Sequence, residues 1–332
     1  MNKTVLILIR FLLLFLPLLT VSAKESVKKK DSFIEDIFEI KIPGFEGAYN
    51  ASMVEYDNGY LMAFRYDTYT LPINRHLEDF RQHIGVIRLD KNFQPQGPVH
   101  MILGDRTYDP RLLKIDDTIY IIFSSSGQTD PHSLISSHLN LCTIDYSEVG
   151  VTVSNRISLN VSFQQNWEKN WVPFNYKNMI YLEYTINPQV VIIPYLMDGS
   201  CKASSRNSQN IHWPYGIIRG GTPALPIEED YLGFFHSSKI DSKTNKYTYY
   251  VGAYIFSNDP PFNLKKVSSE PFSHPNFYST KHSPSTTSRV IFPGGFVIRD
   301  DKIYLCYGEN DAAIKVMVLD KSELYRSMKN VE

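Results

Sequence analysis

Polar and apolar positions along this chain fall into short strand-length runs, and five pairs of runs are built alike. They begin Asn50-Ala-Ser-Met-Val, Asp109-Pro-Arg-Leu-Leu, Asn170-Trp-Val-Pro-Phe, Thr222-Pro-Ala-Leu-Pro and Pro293-Gly-Gly-Phe-Val. Each passes through a polar turn (Asp57-Asn-Gly, Asp116-Asp, Lys177-Asn, Glu228-Glu-Asp, Asp300-Asp) into a second apolar run. That run ends on an aromatic residue: Phe64, Phe123, Tyr184, Phe235 and Tyr307. The offset from first residue to aromatic anchor is 14, 14, 14, 13 and 14, and successive anchors lie 59, 61, 51 and 72 residues apart. Runs of this length, bounded by Asn, Asp and Gly, read as strands joined by tight turns. A hairpin recurring at a long, roughly fixed period marks a β-propeller, whose repeats bury their faces only by stacking around an axis. The expectation is an all-β chain forming one five-bladed propeller over residues 35–328, with little helix beyond Lys321–Met328.

The N-terminus departs from this pattern. A mostly apolar run from Val5 to Leu19 leads into Val21-Ser-Ala23, which fits the small-residue rule of a signal-peptidase site. A signal anchor is the rival reading, since Val5 to Ala23 is 19 residues, but Arg10 and Pro17 interrupt it. From Phe11 to Ala23 only 13 residues run without a charge, which favours a cleaved signal over residues 1–23. Residues 24–34, with Lys24 and Lys28-Lys29-Lys30, read as a charged linker. The folded part is thus expected outside the cytoplasm: secreted, periplasmic or in a secretory lumen, or else anchored by an uncleaved N-terminus.

Composition narrows the function classes. With 34 basic and 35 acidic residues the formal charge is −1, which gives no footprint for nucleic acid. Cys142, Cys201 and Cys306 are too few for a disulfide framework, and Cys306, inside a predicted strand, reads as a small buried apolar residue. No Cys-x-x-Cys or His-Glu-x-x-His spacing supports a metal, and nothing calls for a cofactor. Of the two sequons, Asn50-Ala-Ser52 and Asn160-Val-Ser162, the first opens a repeat, so Asn50 is expected to stay unglycosylated.

In a propeller, equivalent positions of different blades converge near the axis although they are far apart in sequence. Just after the aromatic anchors come Arg65, Ser124, Thr185, His236 and Gly308, followed by Asp67, Glu309, Asn310 and Asp311. The repeat starts add Asp109, Arg111, Lys169, Asn170 and Thr222. Two rings of polar side chains facing one pocket make a shared site the better reading than scattered solvated charges.

Tyr108-Asp109-Pro110-Arg111 resembles the Glu-Asp-Pro-Arg motif of the glycoside hydrolase family 130 propellers, which include mannoside phosphorylases and mannosidases. Glu168-Lys-Asn-Trp-Val-Pro-Phe174 resembles that family too, as do Gly220-Gly-Thr-Pro223 with Phe235-His236. So do Phe292-Pro-Gly-Gly295 with Tyr307-Gly-Glu-Asn-Asp311. The likeness runs over roughly residues 50–325 in the right order. It implies an enzyme acting on β-mannosides, with Asp109 as the acid, acting through a sugar hydroxyl. It also implies that Arg65, Lys169 and Asp311 bind sugar hydroxyls. Phosphorylases of the family hold phosphate with paired arginines near the lysine motif, whereas the segment before Lys169 offers only Arg156, which counts against phosphorolysis. Fungal β-mannosyltransferases share a Lys-Asn-Trp-like motif with this group.

Breaking a glycosidic bond takes a proton for the leaving oxygen and an attacking group on the other face. Asp109 is the candidate acid, although an aspartate before Pro110 can also simply cap a turn. Glu168 and Glu183 are the candidate bases for an inverting hydrolase, against the plainer readings of surface carboxylate and blade-filling ion pair. Arg111, Asn170, His236 and Asn310 are candidate binding residues, with Arg111 also suited to bracing two blades. Trp171, Tyr66 and Tyr307 are candidate platforms for a sugar face. The expected partners are an oligosaccharide or glycan, with inorganic phosphate or a sugar donor as co-substrate if the reaction is not hydrolysis. The surviving alternatives are an exported or lumenal β-mannosyltransferase and a non-catalytic carbohydrate-binding propeller.

Overall fold

The computed structural model describes residues 30–69, 80–104, 106–127, 136–147, 149–284 and 286–332. The candidate leader, 1–23, and most of the charged linker lie outside these. Among the described residues the strands form five antiparallel sheets, one per blade, with each repeat supplying the two strands nearest the axis. The first blade runs outward through Tyr49–Tyr56, Gly59–Tyr69, Phe80–Asp90 and Pro95–Leu103. The second runs through Thr107–Ile115, Thr118–Gly127, Ser136–Ser147 and Gly150–Leu159. The third contains Val172–Tyr176, Met179–Ile186, Gln189–Pro194 and Cys201–Arg206.

The fourth blade has a broken inner strand, Arg219–Gly220 and Leu225–Ile227, followed by the long pair Asp230–Asp241 and Lys246–Ser257. Leu264–Ser268 and the C-terminal Met328–Asn330 complete it. The fifth runs through Ile291–Arg299, Lys302–Glu309 and Ala313–Asp320, and its outermost strand is the N-terminal Ile34–Ile40. The ring is thus closed by pairing the first strand with the last repeat. A single helix among the described residues, Lys321–Ser327, is capped by Asp320, whose carboxylate accepts from the Glu323 amide.

Successive side chains of a strand point to opposite faces, and here each face meets a neighbouring blade. Leu61 and Ala63 pack against Leu112, Ile121 and Phe123 of the second blade; Met62 and Phe64 pack against Val297, Cys306 and Val316 of the fifth. Three further clusters repeat this between blades two and three, three and four, and four and five. Strands buried on both faces explain why the repeats read as nearly continuous apolar runs rather than strict alternation. Full burial of each large aliphatic or aromatic side chain contributes roughly 1.5–3 kcal/mol. The three cysteines are unpaired, with Cys142 and Cys306 buried in inter-blade clusters.

Candidate active site

At the start of a repeat the chain does something a regular strand would not. Pairing between inner and second strand slips between Tyr49 and Ser52, Tyr108 and Arg111, and Pro293 and Gly295, so one extra residue bulges out. Asn50 and Asp109 sit in two of these bulges with φ of 46° and 54°, and Asn170, at the equivalent point of the third repeat, has φ 66°. Left-handed backbone is tolerated best by Asn, Asp and Gly, and these are the types the sequence places there. The bulges of the first two repeats each turn a polar side chain, Asn50 or Asp109, into the axial cavity.

The result is a cavity of about 460 Å³ lined by residues of all five blades, including Asn50, Arg65, Asp109, Lys169, Asn170, His236 and Asp311. One wall is organised around Asp109. Its Oδ1 accepts from Asn50 Nδ2 at 2.8 Å and from Arg65 Nη1 at 3.2 Å. Among the described residues nothing donates to Oδ2, which is left to face a ligand. Arg65 is itself held in a fork by Asp67, at 2.9 and 2.8 Å, and lies over the rings of Tyr49 and Tyr108. Gly308 allows the approach, since a Cβ there would collide with Asn50.

Asp311 shares this wall. Burial pushes its pKa up to about 6, with Asp109 and Asp67 adding to the rise and Arg65 opposing it. Below that pH its carboxyl is neutral and loses acceptor capacity for sugar hydroxyls. The KM for glycan is therefore expected to rise as pH falls from 7 to 5, and Asp311→Asn to flatten that dependence; an unchanged slope in the variant would assign the titration elsewhere.

The opposite wall is basic. Lys169 stands exposed on the rim, and Arg219 donates to Ser238 Oγ at 3.3 Å. Neither is in an ion pair among the described residues. Desolvation lowers the pKa of the Lys169 ammonium, with Arg219 and Arg65 acting the same way and Asp109 opposing. His236, 2% exposed, is held well below the usual histidine range by burial and by Arg111, Arg219 and Lys169, so it is neutral at pH 7. Its Nδ1 is buried and has no hydrogen-bond partner among the described residues.

Other candidate residues take different places. Arg111 is 1% exposed and does not line the cavity. Its guanidinium donates to the carbonyls of Gly221 (2.6 Å), Asp109 (3.2 Å) and Gly220 (3.4 Å) and to Asn170 Oδ1 (3.2 Å). It braces blades two, three and four. Asn310 is fully buried; its amide donates to Thr280 O and accepts from Val290 N. With Glu309, which accepts from Tyr278 N, Thr280 N and Lys315, it fastens the segment that carries Thr286 and Ser288 to the cavity.

Trp171 is 1% exposed in the core between blades two and three, and Tyr307 is fully buried between blades four and five. Tyr66 packs on Phe45. None of these three is a platform; Tyr247, Tyr249 and Phe292 line the cavity instead. The physical reason is alternation: with Arg65 turned to the axis, its neighbour Tyr66 must face the adjacent blade.

Glu168 and Glu183 face a second cavity beyond Lys169 and Asn170, and their oxygens are occupied. Glu168 accepts from Gln165 N, Trp171 Nε1 and Tyr184 OH. Glu183 accepts from Gln189 Nε2 and Tyr254 OH, and burial raises its pKa to about 7 against these two bonds. Sequence reasoning passed over Asn50 as a site residue, although it holds the same repeat position as Asp109. It also passed over Arg219, which directly precedes the Gly220-Gly-Thr-Pro223 motif. The amide of Asn50 is 4% exposed and committed to Asp109, which leaves no room for a glycan. Among the described residues no group of three His, Cys, Asp or Glu side chains is placed to hold a metal.

Residues 25–330 match the model of the glycoside hydrolase family 130, described as beta-1,4-mannooligosaccharide phosphorylase. The chain belongs to this family. Its members are enzymes of glycosidase or phosphorylase type. A 1,2-beta-oligomannan phosphorylase of a Thermoanaerobacter species is 23% identical over 257 residues, covering 73% of this chain and 76% of that one. A beta-1,2-mannobiose phosphorylase from Listeria innocua superposes with a TM-score of 0.59 at 15% identity, covering 91% of this chain and 98% of the other. A glycosyl hydrolase from Bacteroides ovatus gives 0.61 at 14% identity with 90% of each chain covered. These likenesses carry the five-bladed fold of family 130 onto this chain.

Proposed function

We propose that the protein is an inverting β-mannoside phosphorylase, with Asp109 as general acid and phosphate seated on the wall of Lys169, Arg219 and His236. One observation carries the choice of phosphorolysis over hydrolysis. Two cations without a carboxylate partner among the described residues stand in the cavity beside a neutral histidine, while both candidate bases face away with their oxygens occupied. Such a wall suits an oxyanion better than a neutral water. Arg219 supplies the arginine that the segment before Lys169 lacks.

In this reading Asp311 and Arg65 hold the mannosyl hydroxyls, and a phosphate oxygen attacks C1 from the face opposite the leaving oxygen. The C1–O glycosidic bond breaks, a C1–O–P bond forms, and the proton of Asp109 passes to the leaving oxygen, directly or through a sugar hydroxyl. Solvent returns the proton to Asp109. Inversion at C1 makes the product α-mannose 1-phosphate. The catalytic family and the phosphorylase relative support the substrate class.

The test is incubation with β-1,2- and β-1,4-mannooligosaccharides with and without phosphate. Mannose 1-phosphate that forms only with phosphate is the expected product; free mannose at equal rate without phosphate would make the enzyme a hydrolase, and transfer only from a nucleotide sugar would make it a transferase. Arg219→Ala is expected to raise the KM for phosphate at least tenfold and that for glycan far less, because its contact is with the anion. Equal effects on both KM values would remove it from the phosphate wall.

A further inference from the structure

Arg65 serves two carboxylates, and it divides its donors unequally between them. Its Nε and Nη2 form a fork on Asp67, at 2.9 Å to Oδ1 and 2.8 Å to Oδ2. Only Nη1 reaches Asp109, on the Oδ1 atom at 3.2 Å. The paired, shorter contacts make Asp67 the dominant partner. Asp67 therefore sets which edge of the guanidinium Asp109 meets.

The surroundings hold that division in place. Strand alternation puts Arg65 and Asp67, two residues apart on Gly59–Tyr69, on one face. Tyr49, beside Arg65 on the inner strand, donates its hydroxyl to Asp67 Oδ2 at 2.7 Å. The guanidinium carbon lies 4.7 Å from the Tyr49 ring centroid and 5.3 Å from that of Tyr108, so rings from two blades limit how it turns. Tyr108 is anchored in turn, its hydroxyl 2.6 Å from Ser137 Oγ. The Asp67 side chain is 1% exposed and does not line the cavity, whereas Arg65 and Asp109 do. It acts on a substrate only through Arg65.

Release of the fork would change what Asp109 can do. A guanidinium freed from Asp67 can offer two parallel N–H groups to Asp109 and take both its oxygens. Oδ2, which accepts no bond from the described residues, would then be closed to the sugar hydroxyl or leaving oxygen. The Arg65 charge, no longer shared with Asp67, would also favour the ionised form of Asp109, which has no proton to give. The other ionisable groups that act on Asp109 are Lys169 at the start of the third repeat, Tyr249 in the fourth blade, Asp311 in the fifth, and Tyr108 and Arg111 on its own strand. Asp311, which also feels the Asp67 charge, titrates at about 6 and so bears on the acid limb of a pH profile rather than the alkaline one.

We infer that Asp67 is a positioning residue for the reaction, one that claims the fork of Arg65 so that Asp109 keeps one oxygen open and its proton available. The inference rests on the reading of Asp109 as the general acid.

The test compares pH profiles of kcat/KM for β-mannooligosaccharide turnover in the wild type, Asp67→Asn, Asp67→Ser, Asp67→Glu and Tyr49→Phe. Asp67→Asn and Asp67→Ser remove the charge. Each is expected to lower kcat about tenfold or more and to leave the KM for phosphate within about twofold. Their alkaline limb is expected to move down by at least about half a pH unit, because an acid must be protonated to act. Asp67→Glu, which keeps a carboxylate, is expected to recover most of the activity. Tyr49→Phe breaks the same cluster but leaves the fork in place, and is expected to keep the wild-type profile. Equal losses in Asp67→Asn and Tyr49→Phe, or an alkaline limb that stays put in both uncharged variants, would overturn the positioning role. Asp109→Asn is the control for the acid. Undiminished turnover there would overturn the acid reading itself, whereas lost turnover there with an unmoved limb in Asp67→Asn would overturn the positioning role alone.

Discussion

Asp109→Asn is expected to lower kcat for β-mannosides at least about a hundredfold while leaving the fold and the glycan affinity nearly intact, because it removes one catalytic proton donor. The backbone favours a clean experiment. Asp109 has φ 54°, a conformation asparagine adopts as readily as aspartate, so the bulge survives the substitution. The amide oxygen can still accept from Asn50 and Arg65, which keeps the side chain in place. What an amide cannot do is deliver a proton to a leaving alkoxide. Steady-state kinetics paired with a binding isotherm checks this. Turnover near the wild-type rate would take Asp109 out of the mechanism, and a parallel collapse of affinity would make it a binding residue.

The second large effect is expected at Arg111. Replacement by methionine conserves much of the volume but deserts three backbone carbonyls and the Asn170 amide oxygen, all buried. Each buried acceptor left without a donor costs about 1–3 kcal/mol, partly offset by no longer burying a charge. A net loss on the order of 3 kcal/mol in unfolding free energy is the expected outcome. Burial lowers the guanidinium pKa to about 10, yet it stays charged through the neutral range, so lysine supplies the charge without the fork. Arg111→Lys is therefore expected to be destabilised too, by less. Denaturant melts of the three proteins test this; equal stability would mean that the brace is redundant.

The propeller was legible in the sequence because its signal is repeated. A single strand–turn–strand pattern is weak, but five with a common internal length fix the blade count, and the inter-blade clusters explain the sustained apolar runs. The polar ring was half legible. Arg65, Asp109, Lys169, Asn170, His236 and Asp311 do converge, since repeat starts and strand ends are where a propeller brings side chains to its axis. Residues next to them were misread for a local reason. Beside each bulge one neighbour faces the axis and the next faces a blade, and the sequence does not mark which is which. Arg111, Trp171, Tyr307 and Asn310 fell on the blade-facing side of that division. Tyr247 and Tyr249 escaped notice because they lie on the unusually long hairpin of the fourth blade, outside the repeated unit.

The closure of the ring sets an order of events during synthesis. Ile34–Ile40 is made first, but its partner Ala313–Asp320 emerges about 280 residues later, at the far end of the chain. Until then the edge of the first strand stays open and the fifth blade lacks its outer member, so the nascent chain carries an unpaired strand for most of its production. Blades one to three form from contacts close in sequence and the fourth is completed by the C-terminal Met328–Asn330, whereas the seam with Ile34–Ile40 spans the greatest separation among the described strand pairs. A cell making this protein must therefore shield its N-terminal strand longest, and any factor that accompanies the chain through folding is expected to let go there last.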